Sequence, residues 1–291
     1  MLAYKKIVYR RQSNESNNLD SYTICENDWV ANESILSIHV NSEELTNFSC
    51  SPAHLEEMAV GFLFTSGVIS EIDEIAKMQL CPDNSKVSIV LKENIPFDNR
   101  KWQRQQTITS GCGQGKSFYT QAPNNNLNKI TSPLTISAEY ISELFSDLRN
   151  ISVGYKNTGC IHLAALIKKE GPSIMREDIG RHNAIDKVIG AGLRLKFDFS
   201  QYILCCSGRI SSDMLLKAGR AGIPIVASRA APTSLAVDFA TEIGITLIGF
   251  IRGNRFNIYS HPERVLQIKN SINQNTQECI EESMLVFNNG L

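Results

Sequence analysis

The sequence predicts an α/β protein, with a layered, helix-covered sheet in its C-terminal half and a smaller strand-rich α+β unit before it. Three observations predict this. From Ser137 onward, strand-like and helix-like segments alternate. The strand segments at 202–206, 223–227 and 246–250 are short, continuous apolar runs, as expected for a sheet covered on both faces. Gly222 and Gly244 stand where glycines close helices.

In the first 92 residues, short strands are expected at 7–9, 34–40 and 45–48, with the polar run 13–20 as a surface loop. Ser51-Pro52 reads as the N-cap and first residue of a helix. Its apolar stripe is Leu55, Met58, Ala59, Phe62 and Leu63, and Gly67 ends it. Two more strands follow at 78–81 and 87–91. Residues 93–134 are polar and contain Gly111-Cys112-Gly113-Gln114-Gly115 and Asn124-Asn125-Asn126, so they read as a mobile loop and linker. In the third region, 135–291, helices are expected at 137–149, 182–194, 212–220 and 233–242, with a further strand at 161–167. On helix 182–194, Ile185, Val188, Ile189 and Leu193 share one face. The tail after Asn270 is polar.

Composition narrows the function. The 291 residues are 42% hydrophobic and 20% charged, ordinary globular values. A net charge of −1 supplies no overall field for nucleic acid or an anionic membrane. Met1 to Lys6 lack an apolar signal core, and no run approaches the roughly 18 apolar residues of a spanning helix. A soluble, cytoplasmic protein with reduced thiols is expected. The eight cysteines form no C-x-x-C pair, which excludes a zinc ribbon or thioredoxin-like motif. Most, such as Cys25, Cys205 and Cys206, sit among apolar or β-prone neighbours and read as small buried hydrophobes.

Cys112 differs. Thr109-Ser110-Gly111-Cys112-Gly113-Gln114-Gly115-Lys116 combines freedom of movement with N–H groups and a lysine that favour a thiolate. Three other segments carry candidate chemistry. Arg176-Glu177-Asp178-Ile179-Gly180-Arg181-His182-Asn183 leads into a helix whose first turn can hold an anion. The competing reading is a solvated face capped by Asp178 or Asn183. Ser207-Gly208-Arg209-Ile210-Ser211-Ser212-Asp213 follows a strand, where α/β sheets bind ligands, or is a plain capping loop. Phe250-Ile251-Arg252-Gly253-Asn254-Arg255 sets two arginines about a turn, a shape that grips phosphate or guanine, or a hairpin of solvated arginines. Residues 205–264 hold seven basic and four acidic side chains, net +3.

Together these segments resemble the formate dehydrogenase accessory sulfurtransferase family, FdhD, over roughly residues 30–265. The matching stretches are Glu56 to Leu63, Thr158 to His162, Arg176 to Lys187, Ser207-Gly208-Arg209, Ala231 to Ala236 and Thr246 to Tyr259. The resemblance implies a C-terminal domain similar to cytidine deaminases and a homodimer. It implies that sulfur passes from a cysteine desulfurase to bis-molybdopterin guanine dinucleotide, which is then inserted into formate dehydrogenase. It places the persulfide on Cys112 and the guanine dinucleotide on Phe250, Ile251, Arg252, Gly253, Asn254 and Arg255. The roles of His162, Glu177, Asp178, Arg181 and His182 are left open, and no resident metal is expected. Where many members carry C-x-x-C in the loop, this chain has Gly115 as the last residue, so only a single-cysteine route survives.

Two other classes compete. A zinc nucleobase deaminase needs H-x-E with P-C-x-x-C, but His162 is followed by Leu163 and Ala164, and Cys205 and Cys206 are adjacent. A chaperone that binds the molybdenum cofactor without sulfur chemistry is the stronger alternative.

Overall fold

In the computed structural model, residues 3–14, 17–98, 107–108, 116–117 and 127–266 are described. The chain opens with an antiparallel ribbon, β1 (Ala3–Asn14) on β2 (Asn17–Ala31), which joins no larger sheet. The expected surface loop at 13–20 is therefore largely strand.

Four strands then form a sheet in the order β4-β3-β6-β5: β3 (Ser34–Val40), β4 (Glu43–Cys50), β5 (Ile75–Leu80) and β6 (Lys86–Leu91). Leu36, Ile38 and Val40 alternate inward from β3 and, with Val87 and Ile89 from β6, pack on Met58, Ala59 and Leu63 of α1 (Leu55–Ser66). Gly67 closes α1 at φ 77°, as its position in sequence implies. The start differs from expectation. His54, at φ 56°, is the N-cap, and Ser51 is wholly buried below the helix.

The second sheet runs β8-β7-β9-β10-β11-β12. Its strands are β7 (His162–Ile167), β8 (Ile174–Asp178), β9 (Ile203–Cys206), β10 (Ile225–Ser228), β11 (Thr246–Arg252) and β12 (Arg255–Ser260). The central strands β9, β10 and β11 are parallel, while β7, β8 and β12 run antiparallel to their neighbours. One face meets α4 (Arg181–Arg194), α5 (Ser212–Ala221) and α6 (Ser234–Ile243) through Leu166, Leu204, Cys206, Val226 and Leu247. The other meets α2 (Ala138–Ile151) through Ala165, Ile203, Cys205, Ile225 and Ile248. A short helix α3 (Val153–Thr158) follows α2. Cys205 and Cys206 thus enter opposite cores, as alternation along a strand requires. Among the described residues no helix is long and apolar enough to cross a membrane.

Two glycines join the units. A Cβ on Gly61 of α1 would lie 1.8 Å from the Asp186 carbonyl oxygen, and one on Gly190 of α4 would lie 1.8 Å from that of Glu57. The two helices therefore touch backbone to backbone, and a single methyl group must push them apart. Gly61→Ala is expected to destabilise the fold by about 1–3 kcal/mol, the usual cost of overpacking a rigid contact. Urea denaturation checks this; unchanged stability would mean that the crossing is not tight.

Candidate functional site

Because β9, β10 and β11 are parallel, the loops 207–211, 229–233 and 253–254 emerge at one edge of the sheet. The antiparallel β7 starts there with His162, β8 ends there with Asp178, and α4 and α5 begin there. Such an edge is where α/β sheets place ligands. Hydrogen bonds from Ile210 N to Ala231 O and from Thr233 N to Ile210 O tie the first two loops together.

The charged run before α4 divides in two here. Most of it is a joint between the sheets. The buried Asp178 carboxylate accepts from Ser51 N (3.0 Å), Gly180 N (2.8 Å), Asn183 Nδ2 (2.9 Å) and Lys187 Nζ (2.5 Å). Lys187, also fully buried, donates to Ser51 O at 3.0 Å, and Asn183 reaches Ser49 O at 2.9 Å. Asp186 accepts from Thr65 Oγ1 (2.7 Å) and Lys217 Nζ (2.5 Å). Arg176 grips Glu57 with two hydrogen bonds of 2.5 and 2.8 Å, and Glu177 accepts from Ser152 Oγ at 2.5 Å. These residues form neither a solvated face nor an anion site; their partners lie on other elements.

Arg181 and His182, in the first turn of α4, belong to the other part. His182 Nε2 lies 2.6 Å from Asp213 Oδ2 in the first turn of α5. Asp213 also accepts from Ser211 Oγ. Burial opposes its ionisation, but the adjacent His182, with help from Ser211 and Lys217, holds the carboxyl well below its usual range. Across the loop, His162 Nδ1 lies 3.4 Å from Ser207 Oγ, which accepts from Leu163 N at 2.9 Å. Burial, then the charges of Arg181 and His182, lower the His162 pKa despite Asp178, so its imidazole is neutral at pH 7. Gly208 permits this crowding, since a Cβ there would meet His162 Nδ1 at 3.2 Å and Arg181 at 3.3 Å.

Farther along the same edge, Gly253 and Asn254 turn β11 into β12, with Gly253 at φ 57°. Phe250 sits in a bulge at φ 54°, its N–H donating to Ala230 O at 3.2 Å, and its side chain is 41% exposed. An aromatic residue in the left-handed region costs on the order of 1–3 kcal/mol, and such strain clusters at ligand sites. Arg252, Gly253, Asn254 and Arg255 are exposed, whereas Ile251 is buried in the core and offers a ligand no surface. Arg209 and Arg229 are also exposed at the edge. Arg264, counted in the positive charge of this region, is instead a buried clamp on Gly244 O, Thr246 Oγ1 and Ile130 O.

Cys112 and its glycines lie outside the described residues. Cys50, Cys205 and Cys206 are buried, and burial raises their thiols, to about 11 for Cys50 and about 12 for Cys206. Cys25 departs from expectation. It is exposed on β2. Sequence reasoning also missed the Asp213 partnership and the Phe250 backbone. Only a charged residue after a strand-end loop, and a bulky residue before Arg-Gly-Asn-Arg, hinted at them.

Comparison with known proteins agrees with this architecture. Sulfur carrier protein FdhD of Bacillus pumilus is 38% identical over 243 residues, 84% of this chain and 92% of that protein. Those of Bacillus subtilis and Wolinella succinogenes are each 38% identical, over 82% of this chain and 90% and 83% of theirs. A crystal structure from Desulfotalea psychrophila, described as a formate dehydrogenase accessory protein, superposes with a TM-score of 0.71 at 25% identity, covering 91% of this chain and all of that one. The FdhD/NarQ family matches residues 31–266, leaving the ribbon outside. The chain belongs to the FdhD/NarQ family.

Proposed function

We propose that this protein is a cytoplasmic sulfur carrier serving formate dehydrogenase, with bis-molybdopterin guanine dinucleotide as its cargo. Relatives bearing the name sulfur carrier protein support the first part. The observation that carries the second is the strained, exposed Phe250 beside Arg252 and Arg255. A flat aromatic face suits a guanine ring, and two guanidinium forks suit its pyrophosphate. The remaining length of the cargo would run along the strand ends towards Ser207 and His162. Ser207 follows β9, two strands away or about 10 Å, and His162 opens β7, three strands away or about 14 Å.

Sulfur reaches Cys112 by exchange. Its thiolate attacks the outer sulfur of a cysteine desulfurase persulfide; a new S–S bond forms, and the desulfurase thiolate leaves with the old bonding pair. The second sheet would share the layout of cytidine deaminases, and the working unit would be a homodimer. Gly115, where a second loop thiol could stand, favours one rival, a chaperone that carries the cofactor without sulfur chemistry. Mass spectrometry after incubation with a desulfurase and cysteine separates the two. Wild type should gain one sulfur at Cys112, and Cys112→Ala should gain none while still binding guanine nucleotide. Normal sulfur delivery by that variant would end the relay.

A further inference from the structure

We propose that His162, Ser207 and Arg181 frame a second anion subsite at the β7 end of this edge, and that it takes a phosphate group. The site lies beyond the hairpin of Phe250, Arg252 and Arg255, from which β7 is three strands, or about 14 Å, away. Its frame is built from fixed parts. Ser207 Oγ accepts from Leu163 N at 2.9 Å, and Ser207 N donates to Leu163 O at 3.0 Å, so the loop after β9 is tied to the start of β7. The Gly208 carbonyl accepts from Ser228 Oγ at 2.6 Å. A Cβ on Gly208 would meet His162 Nδ1 at 3.2 Å and the Arg181 stem at 3.3 Å, so imidazole and arginine close on one bare stretch of backbone.

The hydrogen bonds also set the imidazole tautomer. With Ser207 Oγ accepting from Leu163, its own proton has His162 Nδ1, at 3.4 Å, as acceptor. Nδ1 is then bare and Nε2 carries the hydrogen. Among the described residues Nε2 meets no acceptor, and His162 is half-buried rather than sealed. The charged groups facing the ring are Arg181 and His182 from α4 and Asp178 from β8. After burial, Arg181 has the largest influence, and it opposes protonation. Asp178 is already engaged by four N–H donors. The corner therefore presents a free N–H in a positive field with no anion of its own to spare. An oxyanion there would accept from Nε2, offset Arg181 and raise the His162 pKa. By reciprocity, the anion is held more tightly as pH falls through that raised value.

The test uses the full chain, with sulfate as probe, because it has the shape and charge of phosphate and does not titrate in the histidine range. Imidazole 15N spectra should show the neutral His162 ring protonated on Nε2. Saturating sulfate should raise the His162 pKa by about one unit over chloride at equal ionic strength, a tenfold preference for the protonated ring. Arg181→Gln should raise the value without sulfate and remove most of the sulfate response. His162→Phe should weaken sulfate binding roughly tenfold by calorimetry, a readout that survives if Arg181→Gln does not fold. Equal values in sulfate and chloride would overturn the proposal, as would a neutral ring protonated on Nδ1 or unchanged binding in His162→Phe. Guanosine diphosphate distinguishes the sources of the phosphate. A His162 response to it that Phe250→Ala removes assigns the group to cargo held at the hairpin, whereas a response to sulfate alone assigns a separate phosphate-bearing ligand. Loss of nucleotide binding at the hairpin would end the cargo reading and leave this subsite standing.

Discussion

Lys187→Met is expected to cost about 3–5 kcal/mol of stability, the usual penalty for removing one partner of a buried ion pair. Lys187 and Asp178 are both wholly buried, 2.5 Å apart. Without the ammonium, the carboxylate keeps its three N–H donors from Ser51, Gly180 and Asn183 but loses its counter-charge. Asp178→Asn leaves the opposite problem, a cation with no anion in an apolar joint. The double variant should lose less than the sum of the singles, because neither charge is then stranded. Guanidinium denaturation of all three provides the cycle. Losses near zero in both single variants would show that water reaches the pair.

The second large effect is on ligand binding and follows from the proposed cargo. Phe250→Ala should weaken binding of guanosine diphosphate roughly tenfold to hundredfold, since stacking a base on an aromatic ring contributes about 1–3 kcal/mol. Phe250→Gly adds a contrast. It removes the same ring but also relieves the φ of 54°, so binding should fall while the fold gains about 1 kcal/mol. Phe250→Tyr should bind as wild type. Replacing Arg252 and Arg255 together by Ala should cost a further large factor, with steep salt dependence, because charged hydrogen bonds contribute about 1.5–3 kcal/mol each. Calorimetry decides it. Unchanged affinity in Phe250→Ala would move the nucleotide away from this hairpin.

Local features carried far in this chain. The apolar stripe of α4, the closing glycines at 67, 222 and 244, and the short apolar central strands were all readable, since each depends on neighbours a few residues apart. Strand β8 was not, because Ile174–Asp178 ends in Arg-Glu-Asp, and charges inside a strand look like a loop until their partners are known. Ser51 looked like a helix cap for the same reason. Its N–H is used 127 residues away, on Asp178.

By itself, then, the sequence determined the alternation of elements, the family resemblance and the residue types available at the strand ends. Only the tertiary structure decided which charges act. It sends Glu177, Asp178, Asp186 and Lys187 into a joint, leaves Arg181 and His182 at the sheet edge, and pairs His182 with Asp213. The physical reason is that a charge's role is set by what surrounds it within a few ångströms, and folding brings those surroundings from distant parts of the chain.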